Sequence, residues 1–229
     1  ATVKINKSPS KRKITLSALN IYDESYYIIF PDDDFEEYDN DLTPTQYTAN
    51  THWYFEKLNF GIKPLTFVSD NENLDFLLQD YAIAFNVPNF VVTTKLKELL
   101  EDGLYGSQFF PAIIQDENNN AVEGLWALNT FDDLDCVDFK RSQYFMPGDG
   151  TKEIDGFTIK PDMDNYRFRE DVFDAIPEDE RLIFQVGNTT TGEIFVHQKV
   201  VDIFKKYDVK GIRFFKTSEY HVGDEFNVF

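Results

Sequence analysis

The hydrophobic and polar positions along this chain follow two different periods, and each period predicts a different element. Apolar residues three and four positions apart share one face of a helix, whereas alternation or a short apolar run is typical of a strand. Both patterns occur in short stretches that are separated by Gly, Pro, Asn and Asp. They predict roughly nine short strands and about four or five helices without strict alternation, which indicates an α+β fold with mixed, mainly antiparallel sheets and short helices.

One stretch of this pattern occurs twice. Residues 90–110 read FVVTTKLKELLEDGLYGSQFF, and residues 195–215 read FVHQKVVDIFKKYDVKGIRFF. The matching positions are Val92 and Val196, Lys95 and Lys199, Gly106 and Gly211, and Phe109-Phe110 and Phe214-Phe215. The shared residues serve packing and turn geometry, and none of them is the His, Cys, Ser or carboxylate that a duplicated active site needs. We therefore predict two related strand-helix-strand units.

Each copy has apolar residues at helical spacing between its two strands. These are Leu96, Leu99 and Leu100 in the first copy, and Val200, Ile203 and Phe204 in the second. Because residues three and four apart lie on one helix face, we expect each helix to bury this stripe and to expose a charged back.

Further elements are predicted outside the repeat. The predicted helices are one that begins at Thr43-Pro44, one in residues 71–85 with Leu74, Leu77, Leu78 and Tyr81 on its inner face, and a short one in FREDVFDAIPEDE. The runs SYYIIFP, TFVSD, CVDFKRSQYF and RLIFQVG predict strands. Two apolar runs around an Asn-rich turn in residues 109–129 predict a β-hairpin.

The composition divides the chain into three parts. Residues 1–13 hold five basic side chains and few apolar ones, which predicts a flexible basic arm. Residues 14–84 are expected to form an acidic N-terminal part that packs on the rest. Residues 85–229 are expected to form an α+β domain that contains both copies of the repeat.

The charge of the chain is strongly unbalanced, with 41 acidic against 22 basic side chains and a formal net charge of −19. Such a surplus argues against a nucleic-acid binder, which needs clustered Lys and Arg, and against docking on anionic membranes. Two interpretations stay open: a basic protein partner whose approach the negative field accelerates, or acidity that serves solubility alone. The single cysteine, the lack of a signal-peptide core and the lack of a bilayer-length apolar run predict a cytoplasmic protein.

Residues suited to catalysis or metal binding are few. The histidines are His52, His197 and His221. No two of them have the spacing of a pair of metal ligands. His221 and its acidic neighbours could contact a metal, but we prefer the interpretation that they form a surface loop. Cys136 lies among aspartates, which raise a thiol pKa, so we expect a buried or half-buried strand cysteine and not a nucleophile. Nucleotide-binding and nucleophile motifs are absent, and we predict no catalytic residue, no metal site and no cofactor.

Three longer segments carry a resemblance to a known family. They are FVVTTKLKELLEDGLYGSQFFPAII, GLWALNTFDDLDCVDFKRSQY and RLIFQVGNTTTGEIFVHQKVVDIFKKYDVKGIRFFKTSEY. They combine a strand-helix-GxxFF unit, a WALN strand leading to LDCVDFKRSQ, and a closing strand-helix-KGIRFF unit. In this combination, over roughly residues 85–220, the chain resembles the bacterial immunity protein family 11 of polymorphic-toxin systems.

The resemblance implies a cytoplasmic antidote that is encoded beside a toxin used between competing bacteria. Such a protein binds the cognate toxin domain and blocks it without catalysis. The resemblance also implies a basic partner, because many such toxins are nucleases with basic active-site clefts. Two alternatives from other classes stay open: a small-ligand-binding or carboxylate-based enzyme domain, and a structural interaction module unrelated to toxins.

The predicted contact with the partner is the acidic loop, residues 32–41. It holds seven carboxylates and two aromatic rings, within a window, residues 14–56, that has no Lys or Arg. A loop that serves only solubility would mix its charges, whereas Phe35 and Tyr38 provide the apolar anchor of an interface. The predicted partner-binding residues are Asp32, Asp33, Asp34, Phe35, Glu36, Glu37, Tyr38, Asp39 and Asp41.

Overall fold

The architecture is taken from a computed structural model, which describes residues 19–32, 41–71, 73–146, 153–154 and 157–226. The strands are β1 (Tyr26–Pro31), β2 (Leu42–Pro44), β3 (Leu65–Ser69), β4 (Ile83–Asn86), β5 (Asn89–Thr93), β6 (Ser107–Gln115), β7 (Ala121–Thr130), β8 (Gln143–Phe145), β9 (Glu153–Ile154), β10 (Phe157–Thr158), β11 (Asp162–Asn165), β12 (Ile183–Gln185), β13 (Ile194–His197) and β14 (Ile212–Lys216). The α-helices are α1 (Ile21–Ser25), α2 (Gln46–Ala49), α3 (Thr94–Leu100), α4 (Glu170–Asp174) and α5 (Gln198–Lys206). Short 3₁₀ helices cover Asp75–Leu78, Glu178–Glu180 and Asp224–Phe226.

Two larger sheets organise the molecule. One has six strands in the order β2-β3-β6-β7-β5-β4, and the other has four strands in the order β12-β13-β1-β14. Strands β8 and β11 form a small separate pair, as do β9 and β10. Of the pairings between these strands, that of β3 with β6 is parallel and the others are antiparallel. The predicted α+β class, with mainly antiparallel sheets and short helices, is confirmed.

The two predicted strand-helix-strand units are also confirmed. The first is β5-α3-β6 and the second is β13-α5-β14, and in each the helix begins directly after the first strand. A third strand lies between the two strands of each unit and runs antiparallel to both: β7 in the first unit and β1 in the second. An outer strand, β4 or β12, pairs with the first strand of its unit. The likeness therefore extends to four strands and one helix.

The strand register is the same in the two units, although the chain order differs. Equivalent positions, first unit before second, are Ile83 and Ile183, Val92 and Val196, Trp126 and Tyr27, Phe109 and Phe214, and Leu128 and Ile29. The central strand of the first unit follows β6 through the predicted hairpin. The central strand of the second unit comes from the N-terminal part of the chain instead. The second unit is thus a permuted version of the first.

The helices of both units share one apolar core between the two large sheets. Leu96 and Leu100 of α3 and Val200 and Phe204 of α5 are buried in this core. The flanking position Ile203 is only partly buried at its edge. Leu99 is also half-buried. The predicted stripes therefore face inward, with one residue of each stripe at the margin.

Each sheet has a second apolar layer on its outer face, because successive strand residues point to opposite faces. On β5, Val92 points into the central core and Val91 into the layer around Trp53. On β13, Val196 points into the central core and Phe195 into a layer rich in aromatic rings. The arrangement is three apolar layers separated by two sheets.

Two helix predictions are wrong. Leu42–Pro44 forms strand β2 at the edge of the six-stranded sheet. A proline is tolerated there because an edge strand can leave one backbone position without a hydrogen bond to a neighbouring strand. The helix starts only after the Thr45 cap and ends at Ala49. In residues 71–85, one 3₁₀ turn is followed by strand β4, and Leu78 is 68% exposed. Pairing of β4 with β5 and the burial of its side chains override the local helical spacing.

Other elements follow the predictions more closely. Strands β1, β3 and β12 and helix α4 lie in the predicted stretches. Of CVDFKRSQYF, however, only Gln143–Phe145 is a strand, and Val137 makes an isolated bridge to Phe168. Strands from both sides of residue 84 share each large sheet. The boundary at residue 84 stays a prediction, and the basic arm, residues 1–13, lies outside the described residues.

Candidate partner-binding surface

The acidic loop is described only at its two ends. Residues 33–40, which include Asp33, Asp34, Phe35, Glu36, Glu37, Tyr38 and Asp39, lie outside the described residues. The amide of Asp32 donates to the carbonyl of Gly211 at 3.1 Å, directly before β14. At the other end, Asp41 makes an isolated bridge to Phe85 of β4. The acidic loop therefore begins on the four-stranded sheet and ends beside the six-stranded sheet.

A second acidic segment occupies the equivalent position in the first unit. The amides of Phe131 and Asp132 donate to the carbonyl of Gly106 at 2.9 and 3.0 Å, as Asp32 donates to Gly211. The residues after β7 read FDDLD and those after β1 read DDDFE. The carboxylates of this second segment, Asp132, Asp133 and Asp135, are exposed. Sequence comparison of the two repeat copies misses this match, because both acidic segments lie outside them.

An aromatic segment, residues 52–60, presents three exposed rings beside the six-stranded sheet. Tyr54, Phe55 and Phe60 are 46%, 51% and 66% exposed. The rings of Tyr54 and Phe55 pack edge to face at 4.6 Å between centroids, and Phe60 stacks on Phe110 at 5.4 Å. Exposed aromatic rings are typical anchors of protein interfaces.

The side-chain amides of buried Asn129 and half-buried Gln108 hold the aromatic segment in place. Nδ2 of Asn129 donates to the carbonyls of Trp53 and Glu56, and its Oδ1 accepts the amide of Leu58 at 3.1 Å. Nε2 of Gln108 donates to the carbonyl of Leu58 at 2.7 Å and to Oδ1 of Asn129 at 2.8 Å. These bonds satisfy backbone groups that no strand or helix pairs. The segment is therefore irregular but fixed, so binding through it costs little conformational entropy.

The histidines occupy separate places. His197 is the buried N-cap of α5, and its Nδ1 accepts the amide of Lys199 at 3.2 Å. Burial lowers the pKa of His197, against the opposing effect of Glu178. His221 lies on a surface turn with Nδ1 3.3 Å from a carboxylate oxygen of Asp164. Among the described residues, no group of three or more His, Cys, Asp or Glu side chains is placed to hold a metal ion.

Cys136 is buried between two isolated bridges and not within a strand. Burial is the main cause that raises the pKa of its thiol well above the ordinary value, and the charge of Asp135 adds to it. The predicted direction of this shift is confirmed, with burial as the larger cause. A thiol held in the neutral form is a poor nucleophile.

Glu193 is a buried carboxyl group whose pKa is raised by burial, with a further contribution from Glu225 and an opposing hydrogen bond from Thr191. The folded protein therefore holds this proton at pH values where the unfolded chain releases it. The free energy of unfolding therefore falls as the pH rises from the ordinary carboxyl range through the raised pKa, because ionisation of Glu193 is less favourable in the folded protein than in the unfolded chain.

We expect Glu193→Gln to stabilise the protein at pH 8, because the variant has no buried carboxyl group to ionise. At a pH below the ordinary carboxyl pKa, both proteins are neutral at this position and the difference should disappear. Urea denaturation at both pH values measures the two free energies of unfolding. A variant that is equally destabilised at both would show that the amide breaks the local packing and that the titration is unimportant.

Comparison with known proteins places the chain in a family. Within the described ranges, no helix is both long and apolar enough to cross a lipid bilayer. A search of curated proteins finds no match to the chain. The sequence profile of the immunity protein family (Imm11) matches residues 17–219, which include the N-terminal part as well as both strand-helix-strand units. Because the match spans most of the chain, the protein belongs to the Imm11 immunity protein family.

Proposed function

We propose that this protein is the antidote of a toxin encoded beside its gene, and that it acts in the cytoplasm by binding the toxin domain and occluding its active site. The observation that carries the proposal is the family match over residues 17–219. Neutralisation by occlusion requires that this protein have a contact surface for the toxin domain, but it does not require catalysis by this protein. Fixed irregular segments on a sheet scaffold, such as residues 52–60, are suited to that role.

The charge of the protein supports a basic partner. The formal net charge is −19, and a field of this sign accelerates the approach of a positively charged domain. The acidic loop contributes seven of the carboxylates over ten residues. We propose that this loop meets the basic active-site cleft of the toxin, with Phe35 and Tyr38 as apolar anchors and the carboxylates as the rim.

Co-expression tests the proposed function. The toxin domain encoded by the adjacent gene is expressed in bacteria with and without this protein, and survival and complex formation by pull-down are measured. We expect growth arrest without the protein, and rescue together with a stoichiometric complex in its presence. Rescue without a complex would point to removal of a toxic product, and arrest in both cultures would contradict the immunity role.

Removal of charge from the acidic loop tests its place in the interface. The variant Asp33→Asn, Asp34→Asn, Glu36→Gln, Glu37→Gln is expected to associate with the toxin domain about tenfold more slowly at low salt, and with a weaker salt dependence. Stopped-flow measurement at several salt concentrations gives both quantities. We expect the thermal melting temperature of the variant to equal that of the wild type, which would show that the fold is intact.

A control variant separates local contact from total charge. It replaces four exposed carboxylates on other elements, by Glu98→Gln, Glu117→Gln, Asp162→Asn and Glu170→Gln. Equal slowing in both variants would show that only the overall charge matters. Association at the wild-type rate in the loop variant would place the contact elsewhere.

A further inference from the structure

A groove of about 660 Å³ lies where the first unit meets the second. The end of α3 and the start of β6 form one wall, and the 3₁₀ turn Glu178–Glu180 lines it from the second unit. The residues that matter for its chemistry are Phe60, Trp126, Glu101, Asp102, Asp179 and Glu180. We call it the junction groove. It is separate in sequence from the acidic loop.

The floor of the junction groove is fixed by backbone bonds between the units. The amide of Tyr105 donates to the carbonyl of Ile183 at 2.9 Å, and the amide of Ile183 donates to the carbonyl of Gly103 at 3.0 Å. Gly106 has φ +56°, and a Cβ there would lie 1.9 Å from the carbonyl oxygen of Asp132. The shape of the groove is therefore present before any partner binds, which lowers the entropic cost of filling it.

The junction groove is negatively charged. Glu101 forms an ion pair with Lys97 one helical turn earlier. In the part of the chain that the structure describes, Asp102, Asp179 and Glu180 are exposed, and no basic side chain forms an ion pair with them. The C-terminal end of α3 adds partial negative charge to the same wall, because the last carbonyls of a helix lack partners within it.

Aromatic rings line the same groove. Phe60 is 66% exposed, and Trp126 is half-buried with its Nε1 donating to Oγ1 of Thr94 at 3.0 Å. The ammonium group of Lys97 lies 4.9 Å from the centroid of the Trp126 ring. Lys97 therefore already covers one face of the indole, and the exposed Phe60 ring is the aromatic surface that stays available to a further cation. Carboxylates together with accessible aromatic faces favour Arg and Lys, whose charged groups pair with the acids while their stems pack on the rings.

We propose that the junction groove binds a basic segment of the toxin domain, with an Arg or Lys side chain between the aromatic rings and the unpaired carboxylates. This proposal rests on the proposed function and names a second contact beside the acidic loop. The exposed Phe60 ring is the expected centre of the contact, because large rings that lose water on binding dominate interface energetics. Asp102, Asp179 and Glu180 are the expected source of its charge selectivity.

Charge removal in the groove is the first test, with the toxin domain encoded by the adjacent gene as the probe. The variant Asp102→Asn, Asp179→Asn, Glu180→Gln is expected to associate about tenfold more slowly at low salt, with the difference lost at high salt. The matched control is Glu117→Gln, Asp162→Asn, Glu170→Gln, which removes the same charge from exposed positions elsewhere. The control is expected to associate within about twofold of wild type.

Phe60→Ala is the second test, because it changes no charge. We expect dissociation of the complex to accelerate by about tenfold or more, with little change in the association rate. Circular dichroism and the melting temperature of the free variant show that its fold is intact. An unchanged dissociation rate with an intact fold would remove Phe60 from the interface.

Carbodiimide coupling of the wild-type complex then locates the contact directly, because it joins carboxylates to lysines only where they touch. Mass spectrometry that finds Asp102, Asp179 or Glu180 coupled to the toxin domain supports the groove. If coupling is confined to residues 32–41 and the groove variants behave as the control does, the proposal that the groove binds the toxin domain is wrong. The proposed immunity function is not affected by that result. A wild-type protein that binds no toxin domain overturns both.

Discussion

Asp23→Ala is expected to lower the free energy of unfolding by about 3–5 kcal/mol, the loss typical of removing one partner from a buried ion pair. The Asp23 carboxylate is fully buried and forms an ion pair with Arg141. It also accepts the amides of Asn20 at 3.1 Å and Phe168 at 2.7 Å. Its removal leaves the two amides without their acceptor at a fully buried position, and it takes from the partly exposed Arg141 guanidinium its buried counter-charge.

The neighbouring residue Glu24 provides the matched control. Its carboxylate pairs with Lys216 at 2.6 Å, but both side chains are partly exposed. Glu24→Gln should therefore cost less than about 1 kcal/mol. Urea denaturation of both variants, followed by far-ultraviolet circular dichroism, gives the two free energies. Similar small losses in both would show that Arg141 finds another partner, and that α1 is not tied to the segment around Phe168 by this pair.

The duplicated units could be predicted because they depend on local pattern. Turn glycines and apolar residues at helical spacing recur in both copies, and a helix directly after a strand needs no distant contact to be recognised. The central strands could not be predicted in the same way. The central strand of the first unit, β7, follows its unit in the chain, whereas the equivalent strand β1 precedes the second unit by about 160 residues.

The failed helix in residues 71–85 has a different cause. Leu74, Leu77 and Leu78 have helical spacing, but only the first two are buried. The following residues instead form β4, which pairs along its whole length with β5. Burial of Phe85 on one face and Ala84 on the other satisfies two apolar layers at once. A helix at this edge would leave β5 unpaired on that side, so tertiary pairing overrides local propensity.

The two candidate surfaces also differ in how far the sequence predicts them: the acidic loop is visible in the sequence, and the aromatic segment is visible only in the fold. Charge alone directs attention to the acidic loop, because a run of carboxylates is visible in any sequence. The aromatic segment depends on Asn129 and Gln108, which lie more than 40 residues away in the chain and hold its backbone from β7 and β6. Nothing local in the sequence distinguishes these two amides from surface residues. Only the fold shows that they fix exposed rings in place.

Gly106→Ala is expected to cost about 2–5 kcal/mol, from two effects that add. An alanine at φ +56° pays roughly 1–2 kcal/mol for the left-handed conformation. Its Cβ would also lie 1.9 Å from the carbonyl oxygen of Asp132, and relief of such overpacking costs about 1–3 kcal/mol more. The neighbouring backbone cannot move away freely, because the amides of Phe131 and Asp132 both donate to the carbonyl of Gly106.

Gly124→Ala isolates the first effect. Gly124 has φ +75°, but a Cβ there meets no heavy atom of the described residues within 4 Å apart from its chain neighbours. We expect a loss of only about 1–2 kcal/mol, the conformational part alone. Chemical denaturation of both variants gives the difference that close approach contributes at Gly106. If the two losses were equal, the chain after β7 would have to shift freely, and the close approach of Asp132 to Gly106 would not be needed for the fold.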